Sequence, residues 1–584
     1  MTSTIHTTTP VAPAGAEATP LLYVVMPAEG PQGIAPLYVP DHRRASKKVP
    51  FPLAASGNLL LESAPTIEFY PSWLLRLKTA GPPASGHARS SLSRVTRLPA
   101  LPTAGGRRQG TNHHSPLYLL SFSCTMSFLH IFRAELRPTL RLALPLVLAE
   151  IGWMSMVIVD TMMVGRLPYS AQAIGAISIS SSLFLVFAFF GEGLMIGLDT
   201  LVSQAFGAGR REDCHRSLLN GIYLSFAVAP FLAAPVWFLP LYFERFGVAH
   251  DVAVLATPYM RTLAAGLLPL LLYFAVRRTL QGMNMVRPIA FALVTANLVN
   301  IFGNYVLIFG KFGFPAFGVS GSGIATAISR TYLALILVVY LLWYDARHQT
   351  ELLKTPVQPD LQRIRSLIAL GLPAALQLTA EVSVFALVAS LIARLGAVPL
   401  AAHQIALNTV AFTYMVPLGI SSAAAVRVGQ AIGRRDPAGA RDAGNTAIFL
   451  GASFMSCMSV ALLVFPRYIA RIYTADPIVI RTAVILLAAG AAFQLFDGIQ
   501  TVATGALRGS GDTRTPMLCH FSAYWLIGLP LGAYLCFRRH WGALGLWVGL
   551  SLSLILIGIF LLLFWRRRAF HLLASSDRDA VLTL

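Results

Sequence analysis

Long stretches without a charged side chain dominate this sequence and limit what it can fold into. Trp541 to Trp565 is 25 residues without a charge, and Ser217 to Phe243 is 27. A helix needs about 20 residues to cross about 30 Å of hydrocarbon, so each stretch predicts a membrane span. Only 12% of the chain is charged, against about a quarter in an ordinary soluble domain. This composition excludes a typical soluble enzyme.

The same pattern recurs along the chain from residue 138 and predicts an all-α integral membrane protein with twelve transmembrane helices. The predicted spans lie near 138–165, 170–200, 216–243, 252–280, 287–310, 319–344, 364–393, 398–426, 442–466, 478–507, 514–537 and 541–565. Residues 1–125 differ: they hold 11 Lys/Arg and 5 Asp/Glu, with frequent Pro, Ser and Gly and no periodicity. Such a composition buries too little apolar surface to fold, so we interpret 1–125 as a disordered, dispensable extension.

Basic residues predict the orientation of the chain. They concentrate in every second connection and in the tail, whereas the opposite loops hold far fewer. The basic residues of the enriched side are Arg210, Arg211, Arg216, Arg277, Arg278, Arg287, Arg347, Lys354, Arg363, Arg365, Arg434, Arg435, Arg441, Arg508, Arg514, Arg566, Arg567 and Arg568. Since cytoplasmic loops are rich in Lys and Arg, both termini are predicted to be cytoplasmic, in the cell inner membrane. The net charge of +20 therefore marks one face of a bilayer and predicts no nucleic-acid partner.

An internal repeat organises the spans. Leu144-Pro145 recurs as Leu372-Pro373, and Gln204-Ala205-Phe206-Gly207 recurs as Gln430-Ala431-Ile432-Gly433. Leu280-Gln281-Gly282 corresponds to Leu507-Arg508-Gly509. Six spans per half give two repeats of the same orientation, with a substrate path between them. The predicted organisation is an N-lobe (126–345), a cytoplasmic linker (346–363), a C-lobe (364–570) and a cytoplasmic tail (571–584) around a central cavity. A duplicated scaffold without transport activity is the alternative.

Three carboxylates lie inside predicted spans: Asp160 in the first, Glu381 in the seventh and Asp497 in the tenth. A charge at the centre of a bilayer costs about 2.5–3.5 kcal/mol, so each is a functional hypothesis. The repeat places no carboxylate opposite any of them, so each belongs to one half alone. In a site of low dielectric a proton and a nearby cation compete to stabilise a carboxylate. The functional interpretation is a coupling site, and the alternative is a neutral, hydrogen-bonded carboxyl in a packed interface.

Other polar residues inside the spans rank lower. Asn300 and Asn304 are one helical turn apart and share a face, but such a pair also serves as contact between helices. His403-Gln404 is a candidate for a cavity wall, with a structural histidine as the alternative. The carboxylates nearer the ends of spans are expected to be solvated; these are Glu150, Glu192 and Asp199. No phosphate-binding loop, zinc motif or nucleophile elbow is present in the sequence, so neither an enzyme nor a cofactor is predicted.

The sequence resembles the multidrug and toxic compound extrusion (MATE) family, in its NorM-type bacterial branch, over about residues 130–570. The motifs that carry the resemblance are Val159-Asp160-Thr161-Met162-Met163-Val164-Gly165, Gln204-Ala205-Phe206-Gly207-Ala208-Gly209, Ala401-Ala402-His403-Gln404-Ile405-Ala406-Leu407-Asn408 and Gly505-Ala506-Leu507-Arg508-Gly509. The resemblance implies an antiporter that exports amphipathic, mostly cationic compounds in exchange for Na⁺ or H⁺. We expect the protein to work as a monomer. A lipid-linked oligosaccharide flippase of the same superfamily is the alternative; its cavity is expected to be rich in Arg and Lys.

The resemblance also implies roles for particular residues. Asp160 with Asn300 and Asn304 would form an N-lobe site, and Glu381 with Asp497 a C-lobe cation site that is a candidate Na⁺ site. Some Na⁺-coupled members carry a Tyr four residues before the C-lobe Asp, where this sequence has Phe493. The missing hydroxyl weakens the case for Na⁺ over H⁺. Phe493 and Gln404 are candidate cavity residues.

Met126-Ser127-Phe128 reads as a natural start of translation. We therefore expect mass spectrometry of the native N-terminus to detect no peptide from upstream of Met126. Peptides from that region would contradict the interpretation of 1–125 as a dispensable extension.

Overall fold

The computed structural model describes the backbone of residues 116–348 and 357–582, and the side chains of 134–348 and 357–574. Nearly all described residues are helical and none forms a strand. Most of the predicted extension and residues 349–356 of the predicted linker lie outside the described residues. The first helix begins at Pro116, so residues 116–125 of the proposed extension belong to a helix. The predicted tail, up to Leu582, continues the last helix.

Twelve membrane-spanning units follow one another along the described chain, as predicted. They are α1 (Pro116–Val164), α2 (Ser170–Gly207), α3 (Arg211–Tyr242), α4 (His250–Ala265 and Leu267–Gly282), α5 (Arg287–Phe309), α6 (Val319–His348), α7 (Leu361–Ala393), α8 (Ala397–Gly433), α9 (Pro437–Val464), α10 (Pro477–Gly509), α11 (Arg514–Arg538) and α12 (Ala543–Leu582). Eleven pass as single spans by length and composition, and the twelfth, α4, is bent by 41° between its two segments.

Local sequence explains where several helices begin. Asp360 precedes α7, and its carboxylate accepts the backbone N–H groups of Gln362 and Arg363 at 3.0 and 3.1 Å. Asp436 and Asp476 cap α9 and α10, each followed by a proline. A side-chain oxygen before the first turn satisfies an unpaired backbone donor, and proline at the next position has no N–H to satisfy. These helices therefore have fixed starts at the membrane surface.

The helices pack as two six-helix lobes that repeat the same pattern of helix contacts. Within the N-lobe α1 packs on α5, and the corresponding C-lobe helices, α7 and α11, also pack on each other. Between the lobes α1 contacts α8, and α2 contacts α7, which is the same contact with the two halves exchanged. Every backbone polar group of a spanning helix must be satisfied internally. The path between the lobes is therefore lined by side chains.

The contact between α2 and α7 depends on a residue without a side chain. A Cβ atom added to Gly193 would lie 2.6 Å from the backbone nitrogen of Ala375 and 2.9 Å from its Cβ atom. Small residues at such crossings allow membrane helices to approach closely.

We expect Gly193→Ala to destabilise the protein by about 1–3 kcal/mol, because the added methyl group overpacks the interface between the lobes. The measurement is the thermal midpoint of the detergent-solubilised protein. Gly152→Ala is the matched control, since its methyl group would meet its nearest neighbours at 3.6 and 3.7 Å, an ordinary contact. Equal midpoints for the two variants would contradict the close approach of α2 and α7.

Candidate functional site: a cavity between the lobes

A cavity of about 320 Å³ lies between the lobes and is lined by helices of both. Its walls are mainly apolar and aromatic, and they carry a few charged side chains. The aromatic lining residues are Trp153, Phe189, Phe274, Phe385, Tyr414, Phe493 and Tyr524. An apolar cavity of this size with a small number of polar groups is typical of a small-molecule site.

Two of the predicted coupling residues, Glu381 of α7 and Asp497 of α10, line this cavity. Asp497 is buried, and its Oδ1 accepts a hydrogen bond of 3.0 Å from Nε2 of Gln500, about one turn further along α10. The hydroxyl of Thr501 donates to the backbone carbonyl of Asp497 at 2.7 Å. The helix that carries Asp497 therefore also supplies Gln500, the residue that orients its carboxylate.

Glu381 is held by a residue that the sequence analysis missed. Its Oε2 lies 3.5 Å from Nδ1 of His520 on α11, a buried histidine whose ring is also 3.4–3.5 Å from Nε2 of Gln377. The available signal was a single histidine inside an otherwise apolar span. His520 connects Glu381 to α11, so the C-lobe site is built from three helices.

Phe493 belongs to the same site, whereas Gln404 does not. Phe493 lines the cavity about one turn before Asp497 and packs against Trp547, with ring centroids 6.3 Å apart. The indole N–H of Trp547 donates to Nδ1 of His403 at 3.1 Å, which fits a structural role for this fully buried histidine. Gln404 is exposed on α8 and lines neither of the two cavities described here.

The structure brings the predicted N-lobe residues together by hydrogen bonds, and Asp160 lines a second, smaller cavity of about 50 Å³. Asp160 is buried, and its two carboxylate oxygens accept hydrogen bonds from Asn304 at 2.6 Å and Thr326 at 2.8 Å. Asn304 also donates to the side-chain oxygen of Asn300 at 3.1 Å. Thr326 was not predicted, because a threonine in an apolar span also bonds its own helix, as Thr326 does with Ser322.

Arg330 completes this smaller cavity. It lies one turn after Thr326 on α6, is buried, and its guanidinium stands 4.4 Å above the ring of Phe184. A cation over an aromatic face is stabilised by the ring quadrupole. The Asp160 site therefore has a fixed cation in its lining.

A buried ion-pair network corrects two sequence-based expectations. Arg277, Arg278 and Arg508, which were assigned to cytoplasmic loops, are buried, because α4 and α10 continue beyond them to Gly282 and Gly509. Glu150 and Asp199 are buried and Glu192 is mostly so, although span ends were expected to be solvated. The network consists of Arg277 with Glu150, Arg278 with Glu192 at 2.6 Å and with Asp199 at 3.1 Å, and Arg508 with Asp199 at 3.6 Å.

The remaining basic residues still mark one side of the bundle. Arg210 and Arg211 follow α2 and are exposed, as are Arg434 and Arg435 after α8.

The described residues contain no group of three or more His, Cys, Asp or Glu side chains placed to hold a metal ion. Glu381 and Asp497 are thus a pair of carboxylates rather than part of a larger ligand cluster.

Comparison with known proteins decides the family. The MatE family model matches this chain twice, at residues 145–306 and 373–534, which together cover more than half of it. The chain belongs to the MatE family. Each boundary of the second match lies 228 residues after its counterpart in the first, which agrees with the repeat found in the sequence. Asp160 and both asparagines lie in the first match, and Glu381 and Asp497 lie in the second.

Similar proteins cover nearly the same region. The protein named "Probable multidrug resistance protein NorM" of Bradyrhizobium diazoefficiens is 36% identical over 445 residues, which is 74% of this chain and 94% of the relative. A protein of the same name from Xanthomonas campestris pv. campestris is also 36% identical, over 76% of this chain and 97% of the relative. The multidrug resistance protein MdtK of Yersinia pseudotuberculosis is 33% identical over 74% of this chain and 94% of the relative.

Solved structures of MatE transporters have the same fold. The eukaryotic MATE transporter AtDTX14 superposes with a TM-score of 0.69 at 21% identity, over 76% of this chain and all of that chain. The outward-facing conformation of a multidrug resistance MATE family transporter gives a TM-score of 0.66 at 18% identity, over 74% of this chain and 96% of that chain.

The pair formed by Glu150 and Arg277 tests the ion-pair network of this MatE protein. Glu150→Ala leaves the buried guanidinium of Arg277 without its partner, which typically costs about 3–5 kcal/mol. We expect a large loss of folded protein from membranes, measured by size-exclusion chromatography after solubilisation. Replacing both residues, as Glu150→Gln with Arg277→Met, should restore most of it, because no unpaired charge remains. A double variant as unstable as Glu150→Ala would contradict this.

Proposed function

We propose that this protein is a secondary antiporter of the cell inner membrane that exports small amphipathic organic cations in exchange for Na⁺ or H⁺. The support that carries the proposal is the charge of the cavity between the lobes. Its arginines, Arg277, Arg278 and Arg508, all contact carboxylates of α1 and α2. Three arginines and three acids balance, which leaves Glu381 and Asp497 as the uncompensated charges of the site.

Uncompensated carboxylates in an apolar cavity attract cations. Glu381 has a histidine beside it, and Asp497 has a glutamine. Among the described residues, no arginine or lysine forms an ion pair with either carboxylate. A proton, a sodium ion or a cationic cargo would each offset the cost of the buried charge. Competition among them for the same two carboxylates is sufficient to link inward movement of the ion to outward movement of the cargo.

The proposed cycle uses both lobes. A cation binds Glu381 and Asp497 from outside and releases the cargo; the lobes then close, open inward and accept new cargo. Each positive charge that moves inward contributes about 2.3 kcal/mol per 100 mV of membrane potential. We place both termini in the cytoplasm, since the exposed basic residues lie on the corresponding side, and take the monomer as the working unit because each chain contains both lobes.

The alternatives fit the site less well. A lipid-linked oligosaccharide flippase needs free cationic groups for phosphate, and the arginines of this cavity are engaged in ion pairs. A non-transporting scaffold would not need uncompensated carboxylates and would tolerate their neutralisation.

We expect Glu381→Gln and Asp497→Asn each to abolish gradient-driven dye export while the amount of protein in the membrane stays unchanged. The measurement is dye movement in vesicles under an imposed Na⁺ gradient and, separately, a pH gradient, and the gradient that drives export identifies the coupling ion. Glu244→Gln is the matched control, since this exposed carboxylate pairs only with exposed His250 among the described residues. Export at the wild-type rate in both cavity variants would refute the proposed C-lobe site.

A further inference from the structure

One end of the bundle holds a reciprocal pair of hydrogen bonds between the lobes. Nε2 of Gln204, on α2, donates to the backbone carbonyl of Gly509 on α10 at 3.1 Å. Nε2 of Gln430, on α8, donates to the backbone carbonyl of Gly282 on α4 at 2.8 Å. The repeat makes Gln204 equivalent to Gln430 and Gly282 equivalent to Gly509. Each lobe therefore donates one bond and accepts the other.

The glycines that follow these glutamines allow the two lobes to meet. A methyl group on Gly207 would overlap the backbone carbonyl of Gln430, and one on Gly433 would overlap that of Gln204. The methyl group on Gly433 would also lie 2.9 Å from the backbone nitrogen of Ala208. The repeated motif Gln-Ala-x-Gly is thus explained by contact between the lobes: the amide makes the bond and the glycine leaves room for it.

A charged contact lies beside these bonds and extends to the cavity. Asp199 is completely buried on α2, and its carboxylate contacts Arg508 of the other lobe at 3.6 Å. The hydroxyl of Thr200 donates to the backbone carbonyl of Arg508 at 2.7 Å. Arg508 also lines the cavity between the lobes. The contact between the lobes at this end is therefore polar, buried and continuous with the proposed transport site.

We propose that Asp199, Thr200, Gln204, Gln430 and Arg508 form a latch that holds the lobes together on the cytoplasmic side. The side follows from Arg210 and Arg211 at the end of α2 and Arg434 and Arg435 at the end of α8, which are exposed next to the latch. The latch deepens the proposed function and rests on it, because a cytoplasmic closure has to open once in every cycle. These residues act by positioning the lobes.

Accessibility of the cavity from the cytoplasm tests the latch without requiring transport. Ser422 lines the cavity from α8 and is buried, so we use Ser422→Cys as the reporter. In inside-out vesicles a membrane-impermeant thiol reagent reaches position 422 only when the cytoplasmic side is open. Labelling at this position is quantified by mass spectrometry, so the native cysteines remain in place.

With the reporter present, we expect Gln204→Ala combined with Gln430→Ala to raise the labelling rate on the order of tenfold, since two bonds that favour the closed form are lost. Gln362→Ala, an exposed glutamine on the first turn of α7, is the control and should label like the parent. Asp199→Asn and Thr200→Val should also raise labelling, and Thr200→Val keeps every charge in case Asp199→Asn fails to fold. Labelling of the double variant and Thr200→Val at the parent rate would overturn the latch.

Labelling and transport distinguish the two proposals. Faster labelling of the latch variants in a protein whose parent exports no dye would support the latch and reject the antiporter. Normal dye export by the parent with unchanged labelling of the latch variants would support the antiporter and reject the latch.

Discussion

The cost of placing a charge in hydrocarbon governs this structure. Each ionised side chain within the spans must be compensated or must be available for a ligand. Three arginines are compensated, because each forms an ion pair with a carboxylate of α1 or α2; these are Arg277, Arg278 and Arg508. Glu381 and Asp497 lack an arginine or lysine partner among the described residues, and both line the cavity from the C-lobe. The same constraint therefore divides the buried charges into a structural network and a candidate coupling site.

Duplication shaped the scaffold but not the coupling residues. The contact of α1 with α8 repeats as that of α2 with α7, and the Gln204 bond repeats as the Gln430 bond. In contrast, subtracting the offset of the repeat places Met154 opposite Glu381 and Leu270 opposite Asp497. Because the two repeats have the same orientation, this symmetry exchanges the lobes and leaves the two sides of the membrane distinct. The carboxylates Glu381 and Asp497, which occur in one half alone, favour the binding of cations in the path between the lobes.

Sequence alone predicted the spans and the repeat, because apolar length acts locally. Helical spacing places only Asn300 and Asn304 on one face, and their grouping with Asp160 was implied by the resemblance to the MATE family. The sequence did not predict that Arg277 and Arg508 are buried, since a basic residue within one turn of a span end reads as a loop residue. Nor could it place Gln404 outside the cavity or His520 beside Glu381. A span that is apolar all round carries no signal of its rotation, and neighbouring helices set that rotation.

The two candidate sites differ in what they can hold. The Asp160 cavity, at about 50 Å³, has room for about one water molecule or a bare ion and none for a drug-sized compound. The hydroxyl groups of Ser181, Tyr259 and Thr326 and the guanidinium of Arg330 also line this cavity. The cavity of Glu381 and Asp497, at about 320 Å³, reaches the lower range of small-molecule sites. Under the proposed function, direct displacement of cargo by the coupling ion therefore requires the larger cavity of Glu381 and Asp497. The Asp160 cavity has room for an ion or a water molecule and none for the cargo.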